Sequence, residues 1–157
     1  MSYSAITIAD QMLRIAKSKG QRLTPLQLMK LVYIAHGWSF PIRGADLFEN
    51  RIEAWKYGPV IPDLYHATKR FGREPIALDL VGNPDEAVVD AATKSFLESV
   101  YDAYGHMSGI ALSSLTHQSG TPWQQIYRDG AYNLTIPDSL IKDHYNELNR
   151  VRRSTAA

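Results

Sequence analysis

The side chains best suited to acid–base or metal chemistry are the five histidines, His36, His66, His106, His117 and His144. Two imidazoles three or four residues apart on a helix share a face and can grip a metal ion, but no pair here has that spacing. Cysteine is absent, which excludes disulfides and thiolate ligation. The phosphate-cradling patterns G-x-x-x-x-G-K-[ST] and G-x-G-x-x-G are missing, as are H-E-x-x-H and the G-x-S-x-G nucleophile turn. Each histidine is therefore expected to be a surface or hydrogen-bonded core imidazole. No cofactor and no catalysis are expected. A histidine-based metal-dependent enzyme stays as the remote alternative, because it needs ligands gathered by the fold. Carboxylates tell the same story. Asp85 and Glu86 fall in the first turn of an expected helix, where its dipole favours negative charge. Glu53, between Ile52 and Ala54, is expected on the outer, solvated face of a strand.

Residue types suited to holding a partner are better represented. Trp55-Lys56-Tyr57-Gly58-Pro59 combines two aromatics with a turn and lacks helical period, the pattern of a rigid exposed loop. The competing reading, equally weighted, has Trp55 plugging the core while Gly58-Pro59 turns the chain. Lys30, beside apolar Leu31 and Ala35, either snorkels along the core edge or, as favoured, pairs with a carboxylate such as Glu53. Tyr33 and Tyr65 are expected as core-edge aromatics with bonded hydroxyls, and His117 with Trp123 as a seal between two helices.

The elements that must position these residues are mostly helical. Thr7 and Asp10 resemble a capping box, followed by Ile8, Met12 and Ile15 on one face up to Gly20. Thr24-Pro25-Leu26-Gln27 opens a second helix, with Leu28, Leu31, Val32, Ala35 and Trp38 as a wall of the core and a stop near Phe40-Pro41. A short strand or irregular turn is expected over 51–57, ended by Gly58-Pro59. Pro62 opens a third helix that Gly72 closes. A loop over 74–82 leads to Asn83-Pro84-Asp85-Glu86 and a long helix carrying Val89, Phe96, Val100 and Tyr104. Ser108, Thr121 and the Thr135–Asp138 stretch start three more. The expected fold is mainly α: one compact helical globule of six or seven helices over 1–150, with one short β-ribbon around 51–57 and a frayed tail over 151–157.

The 157 residues suit one domain, and the apolar share of 45% with a charged share of 21% is ordinary for a globule. No apolar run reaches the ~20 residues of a membrane span, and the N-terminus lacks a signal-peptide layout, so a cytoplasmic chain with no membrane partner is expected. A net charge of +1, with basic clusters scattered, disfavours a nucleic-acid partner.

Three segments together resemble one family: Leu26 to Trp38 (LQLMKLVYIAHGW), Ile52 to Tyr65 (IEAWKYGPVIPDLY) and Leu115 to Trp123 (LTHQSGTPW). In this order they resemble the Panacea domain of SocA-like antitoxins and phage-associated GepA-type proteins, over about Thr7 to Tyr145. One departure is Met29, where the family commonly has glutamine. The resemblance implies a helical antitoxin that neutralises a cognate protein toxin, encoded by an adjacent gene, through direct contact. Its alternative is an adaptor that delivers the toxin to a cytosolic protease. The closing Ala156-Ala157 also has the small apolar character of a degradation tail, with an inert end as the favoured reading.

Overall fold

The capping box read at Thr24 forms in full. In the computed structural model, which describes residues 2–77 and 89–156, Gln27 N–H donates to the Thr24 hydroxyl at 3.3 Å while the Gln27 carboxamide oxygen accepts from Thr24 N–H at 3.0 Å. Helix α2 (Pro25–Arg43) starts there with proline in its first turn. Thr24→Ala removes the hydroxyl that accepts from Gln27 N–H while leaving the backbone donor of the other half, and is expected to cost about 1 kcal/mol, read as a lower urea midpoint at unchanged m-value.

From Leu28 to Gly37 every residue of α2 is buried. The helix is therefore the axis of the core and not one wall of it, as its amphipathic reading suggested. A helix apolar on all sides can only be stable when neighbours cover every side. Here α1 (Ala5–Ser18), α3 (Pro62–Thr68), α4 (Ala91–Tyr104), α5 (Gly109–His117) and α7 (Asp138–Ala156) all pack against it. Pro41 does not stop the helix. It withholds one N–H from the helical ladder, yet the helix runs on for two more residues and ends at Gly44 (φ +74°), whose N–H returns to Phe40 O.

Among the described residues the protein has seven α-helices, α6 being Pro122–Ile126, and one two-stranded ribbon, so the mainly α expectation holds. Several boundaries move. The cap of α1 is Ser4, whose hydroxyl accepts from Thr7 N–H, not Thr7. Asp10 is fully buried and binds Arg14 Nε at 2.8 Å, so it takes no part in capping. The stretch Asn83-Pro84-Asp85-Glu86 lies outside the described residues. Helix α4 is capped by Asp90, with Val89 buried just before it. The Asp90 carboxylate accepts from Thr93 and from the Tyr3 hydroxyl, which holds it well below the usual carboxylate range and ties the N-terminus to α4. Ser108 and Thr121 cap α5 and α6 as read. Helix α7 continues through residues 151–156, where a frayed tail was expected. The Glu147–Arg150 pair and Arg152, stacked over the Trp38 ring, support those last turns.

Candidate functional site

Strand β1 (Glu53–Trp55) and strand β2 (Gly58–Val60) pair antiparallel, Trp55 facing Gly58 across a two-residue turn. Gly58-Pro59 thus forms the return strand and does not end the element. Lys56 and Tyr57 both keep negative φ, so the reversal falls on Gly58 at φ +123°, a conformation side chains resist. The tip is the exposed part. Tyr57 is 69% exposed and Lys56 is exposed with its ammonium 5.5 Å from the Tyr57 ring, whereas Trp55 is half-buried and Gly58 and Pro59 are buried. The structure therefore combines the two readings of this segment.

Three helices hold the ribbon by its backbone. Trp123 Nε1 of α6 donates to Trp55 O, Ser113 Oγ of α5 donates to Tyr57 O at 2.7 Å, and Lys30 Nζ of α2 donates to Pro59 O at 2.8 Å. Alternate carbonyls of the hairpin are thus each held by a different helix. The outer edge of β1 is covered as well: Ala54 N–H donates to Leu134 O at 2.9 Å and Ile136 N–H to Ile52 O at 2.8 Å. Ser113 escaped the sequence reading, since an isolated serine inside a helix gives no signal of a partner far along the chain.

The expected Lys30–Glu53 pair does not form. Alternation along a strand puts residues 51, 53 and 55 on one face. Glu53 accordingly binds Arg51 Nε at 2.9 Å and accepts from Trp55 Nε1 at 2.9 Å. It is buried, not solvated on an outer face. Lys30 approaches from the β2 side. Its side chain is 1% exposed, it has no ion pair among the described residues, and burial pushes its pKa down to about 7. A Cβ on Gly58 would lie 2.9 Å from Lys30 Nζ, so a side chain there would displace the end of the lysine in addition to straining the backbone.

The remaining singled-out residues take clear places. Tyr65 packs edge-on against Trp55, centroids 4.9 Å apart. His117 does the same against Trp123 at 5.2 Å, and its Nδ1–H donates to Ser113 O. Tyr33 is buried against Tyr145, but its hydroxyl finds no partner among the described residues, contrary to expectation, and burial raises its pKa. At Met29 the thioether sulfur accepts from Ile61 N–H at 3.2 Å, a weak acceptor at the entry to α3. His36 is fully buried and bonded through Nε2 to Asp138 at 2.8 Å. Among the described residues no three His, Asp or Glu side chains lie close enough to hold a metal, and no helix is long and apolar enough to cross a membrane.

Two grooves flank the ribbon tip and share Trp55, Lys56 and no other side chain. One, of about 410 Å³, lies towards α2 and α3 and has Leu26, Val60 and Tyr65 in its walls. The other, of about 430 Å³, runs past Glu53 to Tyr127 and Tyr132. The arrangement presents aromatic and cationic side chains on a braced frame.

A family model described as antitoxin SocA-like, Panacea domain, matches residues 28–124, from the first turn of α2 through the ribbon to α6. Antitoxin SocA of Caulobacter vibrioides (strain NA1000 / CB15N) is 30% identical over 159 residues, covering 92% of this chain and 83% of that protein. Comparison with solved structures finds no match. The helical core, the braced ribbon and these two similarities agree, and the chain belongs to the SocA-like Panacea-domain antitoxin family.

Proposed function

We propose that this protein is the antitoxin of a toxin–antitoxin pair and neutralises its toxin by direct contact through the Trp55–Pro59 ribbon. The observation that carries this reading is the clamping of carbonyls 55, 57 and 59 beneath an exposed Tyr57. A segment already fixed in one conformation loses little entropy when a partner docks, so its contacts convert efficiently into affinity. Tyrosine and tryptophan also give large contact areas at low conformational cost, as interface anchors do. The named role of the Caulobacter relative supports the antitoxin half of the proposal. Inhibition then follows from occupancy of the toxin, with no substrate turned over.

Co-expression with the product of the adjacent gene tests the reading. Growth is restored, also in a host lacking its ATP-dependent cytosolic proteases, and the purified pair elutes as one complex. Tyr57→Ala weakens that complex about tenfold or more at unchanged Tm. Rescue lost in the protease-deficient host supports the adaptor alternative instead. A complex indifferent to Tyr57→Ala removes the ribbon tip from the interface.

A further inference from the structure

The two grooves beside the ribbon differ in charge. The groove towards α3 is lined by Lys30, Lys56 and Lys69 and by no carboxylate, whereas its neighbour contains Glu53, already neutralised by Arg51. Lys56 and Lys69 stand exposed on the rim and take part in no ion pair among the described residues. Lys30 lies buried at the back with its Nζ donating to Pro59 O, so the charges open to a partner are those of Lys56 and Lys69. Between these cations the walls are apolar: Leu26 and Tyr65 are each 39% exposed, and Trp55 and Val60 are half-buried.

We infer that this groove receives an acidic segment of the partner polypeptide, one with an apolar side chain seated among Leu26, Trp55 and Tyr65 and carboxylates reaching the lysines on its rim. The inference rests on the antitoxin reading and adds the chemistry of the surface that is recognised. Opposite charge suits the lysines, because carboxylates from a partner supply the counter-charges that the chain itself does not place there. Apolar walls suit a side chain and not a ribose–phosphate backbone. A nucleic acid would also need a longer basic track than three lysines in a chain of net charge +1.

A displayed library of random peptides about twelve residues long, panned on the full chain, tests this without the toxin. The expected winners carry two or more Asp or Glu around a Leu, Phe or Trp. The best of them binds Lys56→Glu/Lys69→Glu at least about tenfold more weakly by fluorescence anisotropy, and so does its Asn/Gln counterpart against the wild-type chain. The doubly reversed variant changes exposed positions only, and an unchanged Tm certifies its fold. Winners without acidic excess, no winners at all, or a single-stranded oligonucleotide that binds more tightly than the best peptide would overturn the inference. Because the toxin is absent from this experiment, such a result leaves the antitoxin reading standing if the co-expressed pair still forms its complex. Acidic winners with no such complex would have the opposite meaning.

Discussion

Gly37→Ala is expected to lower stability by about 3 kcal/mol, the upper part of the range for forcing extra volume into a packed core. Position 37 lies mid-way along α2, and a methyl group there would sit within the ring of Tyr145. The ring must shift to admit that methyl group. It is 5% exposed and meets Tyr33 and Trp38 edge-on, at centroid distances of 6.5 and 5.4 Å. Glycine normally weakens a helix by roughly 1 kcal/mol relative to alanine. A destabilising Gly→Ala change inside a helix therefore isolates the packing term from propensity. Thermal unfolding should show Tm lower by roughly 6–12 °C for a chain of this size. In a Tyr145→Val background, itself less stable, the same change should cost far less, and the double-mutant cycle then assigns the coupling to this contact. A single variant as stable as the wild type would mean that α2 and α7 are not seated as described.

Lys30 gives the second large effect, and its sign follows from proton counting. In the folded protein burial pushes the pKa of the ammonium down to about 7, whereas an exposed lysine ordinarily has 10.5. Between those values the unfolded chain binds more protons than the native one, so stability rises with pH through this window. From pH 7 to about pH 9.5 the rise should be on the order of 3 kcal/mol, followed by chemical denaturation at each pH. Lys30→Met should flatten that slope. Below pH 7 the variant is expected to match or exceed the wild type, because it buries no charge. At the alkaline end it should fall below it, because Pro59 O loses its donor, at a cost of about 1–3 kcal/mol. A slope that persists in Lys30→Met would assign the titration to another group.

The parts of this molecule that could be read from its sequence are those governed by near neighbours along the chain. The cap at Thr24 with its glutamine, the caps at Ser108 and Thr121, and the proline at the start of α3 each depend on residues within one turn. The reading of Thr7 and Asp10 as a capping box fails, because Asp10 is buried with Arg14 and the cap of α1 is Ser4, three residues upstream. The ribbon was legible as an interruption of helical period around 51–57. Its register was not, because Gly58-Pro59 looks like a terminator until its partner strand is known. The partners of Lys30 and Glu53 were harder still. Both needed a neighbour of the right chemistry, but which face of β1 meets α2 is set by packing across the whole core. The three-segment family resemblance reached further than any local rule, since it covered the α2–ribbon–α6 arrangement as a unit.

The clamp on carbonyls 55, 57 and 59 grips main-chain atoms, which every amino acid supplies. The exposed side chains at 56 and 57 contribute nothing to that grip, so exchanging them alters what is displayed while the mounting stays as it was. A mounting indifferent to its cargo allows recognition to change while the frame stays the same, much as interchangeable tips fit one handle.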